Sequence, residues 1–95
     1  MAWTVKFHPK VAKVAPKLPE VVQDLLRLLV TEMELSGPVR GKWPNYGKLS
    51  RRGNACHHCH LKKGRPTYVA VWEVNDASQR IMEVVYVGTH ANAPY

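Results

Sequence analysis

Residues 55–74 read ACHHCHLKKGRPTYVAVWEV and predict two adjacent β-strands joined by a tight connection. The second strand, TYVAVWEV at residues 67–74, is dense in the β-branched and aromatic residues that favour strands. The first strand is predicted over residues 55–62, and the four residues KGRP at 63–66 have the length of a hairpin loop. This hairpin predicts an antiparallel sheet, to which the remaining segments add.

Three further strands extend the predicted sheet, at residues 3–7, 48–52 and 80–88. The first of them alternates Trp3, Val5 and Phe7 with polar residues, which indicates a strand with one buried face. Turn residues separate the other two from the hairpin, with Gly53 and Asn54 on one side and residues 75–79 on the other. Residues 89–95 are predicted to form a tail.

Two helices are predicted between the first strand and the rest of the sheet. Residues 10–16 form a short helix that Pro16 ends, and a longer helix begins at Glu20 and stops at residues 36–38, Ser-Gly-Pro. The apolar residues of the longer helix recur every three or four positions, as in a helix that packs on a core. The order β-α-α-β-β-β-β predicts one α+β domain, residues 1–95, in which two N-terminal helices pack on one face of a mainly antiparallel, twisted sheet. The other sheet face is expected to be partly open.

The charge is distributed unevenly along the chain. Fourteen Lys and Arg against seven Asp and Glu give a net charge of +7, and residues 35–72 contain no acidic residue. A basic surface of this density attracts a polyanion, and RNA or DNA is the usual one. The alternative is a solvated basic face that aids solubility or meets an acidic protein.

The sequence predicts a cytoplasmic protein. No apolar run approaches the roughly 18 residues that span a bilayer, and the first residues lack the apolar stretch of a signal peptide. Cys56 and Cys59 lie so close in sequence that a disulfide between them would close a very small loop. Reduced thiols are therefore the simpler expectation.

The run CHHCH at residues 56–60 matches the C-x-x-C-H spacing that attaches a c-type haem. Haem is not expected, because the motif leads into a strand rather than a helix and no export signal precedes it. Structural zinc usually takes four ligands in two pairs, whereas one pair is evident here and a strand would place the two thiols on opposite faces. His90 is the residue that could complete a zinc site.

Alternate side chains of a strand share a face, which divides this run into two sets. Cys59 and Leu61 suit the helix-covered face, with His57 in phase with them. The opposite face then carries a row of three polar side chains spaced by about 6–7 Å, namely His58, His60 and Lys62. Inert surface histidines are the alternative interpretation of this row.

Three segments resemble the RelE-like toxins of bacterial and phage toxin–antitoxin systems. They are SGPVRGKWPNYGKL at residues 36–49, HCHLKKGRPTYVAVWEV at residues 58–74 and MEVVYVGTHANAPY at residues 82–95. The chain looks most similar to the small group known as cytotoxic translational repressors. The resemblance covers nearly the whole chain, and it implies two helices packed on a twisted, mainly antiparallel sheet. That fold agrees with the one predicted above from residue patterns.

The resemblance also implies an activity. RelE-like toxins are endoribonucleases that cut messenger RNA, typically in the ribosomal A site, and they need no metal or other cofactor. The 2′-hydroxyl of the RNA attacks the adjacent phosphate, leaving a 2′,3′-cyclic phosphate and a 5′-hydroxyl. This reaction needs a base for the 2′-hydroxyl proton, cations for the phosphorane charge and an acid for the leaving 5′-oxygen.

Matched to the family's motifs, the catalytic candidates of this chain are His58, His60, Lys62, Arg65, His90 and Tyr95. Relatives carry two alternate lysines where this chain has His58 and His60, and an imidazole can act as acid or base near neutral pH. Lys62 and Arg65 are expected to stabilise the scissile phosphate, with Arg65 replacing an arginine that relatives carry on the next strand. His90 lies near the position of a catalytic arginine, and Tyr95 lies one residue from that of a base-stacking tyrosine. An inert tail is the alternative for both.

Six further cations are expected to contact the RNA backbone, which supplies affinity rather than sequence readout: Arg40, Lys42, Lys48, Arg51, Arg52 and Lys63. In the loop before the second strand, Trp43 and Tyr46 are expected to pack against the sheet, and stacking of one of them on a nucleobase is the alternative. The implied partners are messenger RNA, the ribosome and an acidic antitoxin, for which a helix-turn-helix protein is one candidate, and neither haem nor a membrane is implied. A non-catalytic translational repressor of the same fold stays open, because the family's lysine and arginine pattern is not kept.

Overall fold

The computed structural model describes residues 2–51 and 54–95, and for Ser50, Arg51 and Asn54 it describes the backbone alone. In these residues the elements follow in the order β1 Thr4–Phe7, α1 Pro9–Val14, a 3₁₀ turn Ala15–Lys17, α2 Glu20–Ser36, β2 Gly47–Arg51, β3 Asn54–Lys62, β4 Tyr68–Asp76, β5 Ile81–Thr89 and a 3₁₀ turn His90–Asn92. The predicted element order and the α+β class are confirmed. Neither helix of the described chain has the length and apolarity required to cross a membrane.

The strands form one sheet in the order β1-β5-β4-β3-β2. β1 pairs with β5 in parallel, and the other neighbouring strands are antiparallel. A parallel pair needs a long crossover between its strands, and here the chain passes through both helices and three strands before β5 returns to β1. The hairpin predicted from residues 55–74 is present as β3 and β4.

The core lies between the helices and one face of the sheet. α2 buries a stripe at spacings of three and four residues, made of Val22, Leu26, Leu29 and Met33. The sheet meets this stripe with buried side chains from β3, β4 and β5, namely Cys59, Leu61, Ala70, Trp72, Met82, Val84 and Val87. The predicted packing of the second helix on the sheet is therefore the organising contact of the fold.

The sheet face opposite the helices is more covered than the sequence suggested. Val69 and Val71 of β4 are fully buried but do not belong to the core under the helices. Their partners across the β3–β4 ladder are His60 and His58, whose rings stand on the same face. Tyr95 packs on His58 in turn, so that the tail covers part of this face.

Two details near the start of the chain differ from the prediction. The first helix ends as an α-helix at Val14 and continues as the 3₁₀ turn Ala15–Lys17, because Pro16 has no N–H to donate to an α-helical hydrogen bond. Phe7, which was expected on a buried face, is 38% exposed.

The turns around the hairpin also differ from the prediction in their extent. β4 continues through Asp76, and β5 begins at Ile81 after Arg80, which adopts a positive φ of 55° that ends the turn. At the other end, Asn54 belongs to β3 rather than to a turn, and Gly53 lies outside the described residues.

Candidate active site

Four rings meet on the sheet face that points away from the helices. His58 and His60 project from β3, and His90 and Tyr95 come from the segment after β5. The ring centroids of His58 and Tyr95 are 4.6 Å apart, those of His60 and His90 are 5.4 Å apart, and those of His90 and Tyr95 are 5.9 Å apart. These four side chains, called the ring cluster below, therefore join one strand to the tail.

Backbone hydrogen bonds hold the tail in this position. The N–H of His90 donates to the carbonyl oxygen of Thr67 at 2.8 Å, which ties the tail to the hairpin just before β4. The 3₁₀ turn that begins at His90 is closed by the N–H of Ala93, which donates to the carbonyl oxygen of His90 at 3.1 Å. This turn brings Tyr95 back over His58.

A groove of about 510 Å³ opens beside the ring cluster, between the hairpin loop and the tail. Its lining residues are His60, Gly64, Arg65, Pro66, Thr67, His90 and Ala91. Two imidazoles and one guanidinium therefore border the same space, and a guanidinium is well suited to bind phosphate oxygens. The groove has the size of a typical small-ligand site and the charge that an anionic ligand requires.

Burial lowers the pKa of both His58 and His60 below the usual 6.5, and the charge of His90 adds to the effect in each case. For His60, the charges of Lys63 and His58 lower the pKa further. Both imidazoles are therefore mainly neutral at pH 7. Their Nδ1 atoms are buried, and neither has a hydrogen-bond partner in the described part of the chain. A neutral imidazole has the properties of a general base, and because Nδ1 is buried, a substrate has to reach the ring at another atom.

Gly47 has no side chain, and the ring of His58 occupies the space beside it. Gly47 of β2 lies directly opposite His58 of β3, and a Cβ at Gly47 would stand 2.8 Å from Nε2 of His58. Real Cβ atoms essentially never approach another heavy atom so closely. The ring of His58 therefore occupies the space that any other residue at position 47 would fill.

Replacing Gly47 with alanine is expected to displace the ring of His58 while changing the free energy of unfolding by less than about 1 kcal/mol. The stability change is small because the ring is the end of a side chain and its neighbour Tyr95 is 42% exposed, so both can move. The ring proton signals of His58 in NMR spectra measure the displacement. Gly41→Ala is the matched control, because a Cβ at Gly41 would meet nothing within 4 Å. Unchanged His58 signals in Gly47→Ala would contradict this account.

The predicted phosphate-binding cations Lys62, Lys63 and Arg65 occupy different positions relative to the groove and the ring cluster. Arg65 lines the groove, whereas Lys62 is exposed and follows a register shift in β3 between His60 and Lys62. Lys63, which was assigned to general RNA contacts, influences the pKa of His60 directly. The structure thus places Arg65 in the lining of the groove and Nζ of Lys62 beside the lining residue Gly64, 3.9 Å from where a Cβ would stand, while Lys63 acts on His60 through its charge.

The other predicted RNA contacts lie away from the ring cluster or outside the described atoms. Arg40 donates from its guanidinium to Glu32 Oε1 at 3.5 Å, and its side chain is only 18% exposed. Lys42 is exposed in the same loop, and Lys48 pairs across β2–β3 with His57, which puts it on the face opposite His58. The side chain of Arg51 and the whole of Arg52 lie outside the described residues.

The two cysteines are buried thiols that form no disulfide, and they lie on opposite faces of β3. Cys59 lies in the core under the helices, where burial, with a smaller effect from Glu32, raises the pKa of its thiol to about 12. The thiol of Cys56 donates instead to Glu73 Oε2 at 3.6 Å. Within residues 2–51 and 54–95, no three His, Cys, Asp or Glu side chains are grouped so that they could hold a metal ion.

Two residues that the sequence did not single out contribute to the candidate site. Gly47 makes room for the ring of His58, and the carbonyl oxygen of Thr67 accepts a hydrogen bond from the N–H of His90. The hydroxyl of Thr67 accepts a hydrogen bond from the N–H of Gly64 and donates one to the carbonyl oxygen of Gly64. Both act through cross-strand or loop geometry, and neither belongs to a recognisable motif. The strand register was needed to find them.

Several solved structures have a similar fold. A chain of the archaeal RelE–RelB complex from Pyrococcus horikoshii OT3 superposes with a TM-score of 0.77 at 19% identity, covering 98% of this chain and 100% of that chain. A mutant of the Escherichia coli toxin RelE in the free state gives 0.71 at 22% identity, covering 97% and 88%. The metal-bound toxin from Helicobacter pylori gives 0.61 at 20% identity, covering 96% and 97%.

At the level of sequence, no protein-family model and no curated protein matches the chain. The structural matches span nearly the full length of both partners in each comparison, so the whole chain has the RelE fold. The resemblance to RelE-like toxins is therefore confirmed at the level of the fold.

Proposed function

We propose that this chain is the toxin of a toxin–antitoxin system and that it cleaves messenger RNA on the ribosome, in the cytoplasm and without a metal ion. The observation that carries the proposal is the ring cluster beside a cationic groove, in which the imidazoles of His60 and His90 lie next to the guanidinium of Arg65. The likeness in fold to the RelE toxins supports the same conclusion.

In the proposed reaction His60 is the general base. Its imidazole, which lines the groove, takes the proton of the ribose 2′-hydroxyl, and the 2′-oxygen forms a bond to phosphorus while the bond from phosphorus to the 5′-oxygen breaks. The positive charges of Arg65 and Lys63 stabilise the additional negative charge on the phosphorane. His90 borders the same groove and donates a proton to the leaving 5′-oxygen, which yields a 2′,3′-cyclic phosphate and a 5′-hydroxyl.

The remaining residues bind rather than react. Tyr95 is 42% exposed and offers a ring face on which a nucleobase can stack. Lys62 is an exposed cation that suits a contact with a phosphate next to the cleaved one, and Lys42 is an exposed cation that suits a contact with a more distant phosphate. The Pyrococcus horikoshii structure is a complex with RelB, and we propose an acidic antitoxin as the corresponding partner of this chain.

Cleavage by the purified protein on programmed ribosomes tests the proposal. The protein is dialysed against a chelator and added to ribosomes that carry a defined messenger RNA, with Mg²⁺ kept at the level that ribosomes need. The expected result is new 3′ ends that carry a 2′,3′-cyclic phosphate and matching 5′-hydroxyl ends. Arrest of translation with intact messenger RNA would instead support the non-catalytic repressor, and no effect on translation would refute both functions.

The proposed base predicts how the cleavage rate depends on pH. Because the pKa of His60 lies below 6.5, its base form predominates at pH 7, and acidification through that pKa should lower the rate about tenfold per pH unit. Single-turnover rates measured below saturation, from pH about 5.5 to about 7.5, give the acidic limb of the profile and report the pKa of the free protein. Lys13→Ala is the control: it changes an exposed side chain of α1 and should leave the acidic limb of the pH profile unchanged. A limb with its midpoint above 6.5 would contradict the assignment of His60.

A further inference from the structure

His57 lies on the other face of β3 from the ring cluster and takes no part in the proposed chemistry. It is 3% exposed, and its ring centroid is 5.8 Å from those of both Trp72 and Tyr46, in stacked orientations. Its Nδ1 atom is 2.6 Å from the hydroxyl oxygen of Tyr46. A buried imidazole is thus held against two aromatic rings and hydrogen-bonded to one of them.

Both partners of this hydrogen bond are uncharged at pH 7. Burial lowers the pKa of His57, and the charges of Lys48 and His58 add to this effect. Burial also raises the pKa of Tyr46, against a smaller opposing effect of Arg40. The hydroxyl of Tyr46 and Nδ1 of His57 therefore share a hydrogen bond between neutral groups, and the imidazole tautomer sets which of them donates.

Tyr46 stands between two backbone positions that border the candidate catalytic residues. Two residues before it, the carbonyl oxygen of Pro44 accepts a hydrogen bond of 2.8 Å from the N–H of His60. Directly after it, Gly47 lies against the ring of His58. Whatever fixes Tyr46 therefore also fixes the backbone that contacts both His58 and His60.

Other anchors of this loop hold different parts of it. The indole N–H of Trp43 donates to Glu32 Oε1 at 2.8 Å, and the indole N–H of Trp72 donates to the carbonyl oxygen of Pro38 at 3.0 Å. Both bonds act before Pro44. We call residues 44–47 the clamp segment. Among the described residues, the hydrogen bond between Tyr46 and His57 is the one side-chain hydrogen bond that the clamp segment makes.

We propose that Tyr46 and His57 are positioning residues, whose hydrogen bond holds the clamp segment and thereby sets the backbone of His60 and the ring of His58. The inference rests on the proposed ribonuclease function, because it assigns the pair an effect on that reaction. The proposed effect acts across the sheet, because His57 lies on the helix side whereas His58 and His60 lie on the opposite face, where the substrate is proposed to bind. Small displacements of reacting groups are enough to cost a large part of the rate.

Tyr46→Phe tests this inference, because it removes the hydroxyl and keeps the ring. The expected result is about tenfold slower single-turnover cleavage with an unchanged Kd for the programmed ribosome. Exchange of the backbone amide proton of His60 with deuterium should become about tenfold faster, because Pro44 no longer holds it steadily. Tyr68→Phe is the matched control, since Tyr68 packs against the same core and its loss of a hydroxyl should leave both measurements unchanged.

Two additional measurements separate positioning from simple destabilisation. Amide exchange at Ala70, in the centre of β4, should stay as in the unmodified protein if the effect is confined to the clamp segment. His57→Asn keeps an acceptor oxygen near the position of Nδ1 and should retain most of the cleavage rate, whereas His57→Leu should behave like Tyr46→Phe. Fast exchange at Ala70 in Tyr46→Phe would mean that the whole domain had loosened and would overturn the inference.

Equal rates of cleavage and of His60 exchange in Tyr46→Phe and Tyr68→Phe would also overturn the inference. The exchange measurement needs no activity, so it distinguishes this inference from the proposed function. If the unmodified protein fails to cleave messenger RNA, the ribonuclease proposal fails. Exchange at His60 then still decides whether the pair holds the clamp segment.

Discussion

Replacing His60 with alanine is expected to lower single-turnover cleavage of messenger RNA by about a thousandfold. The substitution removes the proposed base for the 2′-hydroxyl proton, whereas Arg65 and the exposed lysines that we propose to bind phosphate remain. Affinity for the programmed ribosome should therefore change by no more than about twofold. Rates measured at saturating protein, together with a separate binding titration, give the two quantities.

Two controls accompany the His60 experiment. Added imidazole should restore part of the cleavage by His60→Ala, because the free base can occupy the space of the missing ring. Lys13→Ala, which changes an exposed cation far along the chain, should cleave at the normal rate. A His60→Ala protein that unfolds cooperatively and cleaves at the normal rate would remove His60 from the proposed mechanism.

Replacing Trp72 with alanine should lower the free energy of unfolding by about 3–5 kcal/mol. Trp72 is completely buried in the core, and its indole N–H satisfies the carbonyl oxygen of Pro38. The substitution therefore leaves a cavity and an unpaired carbonyl. Because small domains are stable by only about 5–15 kcal/mol, the loss would leave much of the protein close to unfolding. Urea titration followed by circular dichroism measures the change.

Leu35→Ala is the control for this experiment, since Leu35 is 71% exposed on α2 and its truncation should cost less than about 0.5 kcal/mol. Trp72→Phe should fall between the two, because it fills part of the cavity but cannot donate to Pro38. A loss below about 1.5 kcal/mol for Trp72→Ala would show that the core does not depend on this side chain as the packing indicates.

The alternation of residues 57–61 was enough to predict which side chains of β3 face the helices. Cys59 and Leu61 are in the core, and His58 and His60 stand on the other face, as the period of two requires. The stripe of α2 was predictable for the same reason, because the helical repeat is a local property. Phe7 was predicted wrongly, since an alternating pattern cannot tell an edge strand at a groove from a buried one.

The order of the elements and the faces of β3 were predictable from residue patterns, because helical and strand periods involve neighbours within a few positions, and the excess of positive charge follows from composition. The folded structure was needed to show that Tyr95 packs on His58, that Gly47 makes room for that ring and that Tyr46 bonds His57. Those contacts join residues 11 to 37 positions apart. They depend on strand register and on the path of the tail, which no local periodicity encodes.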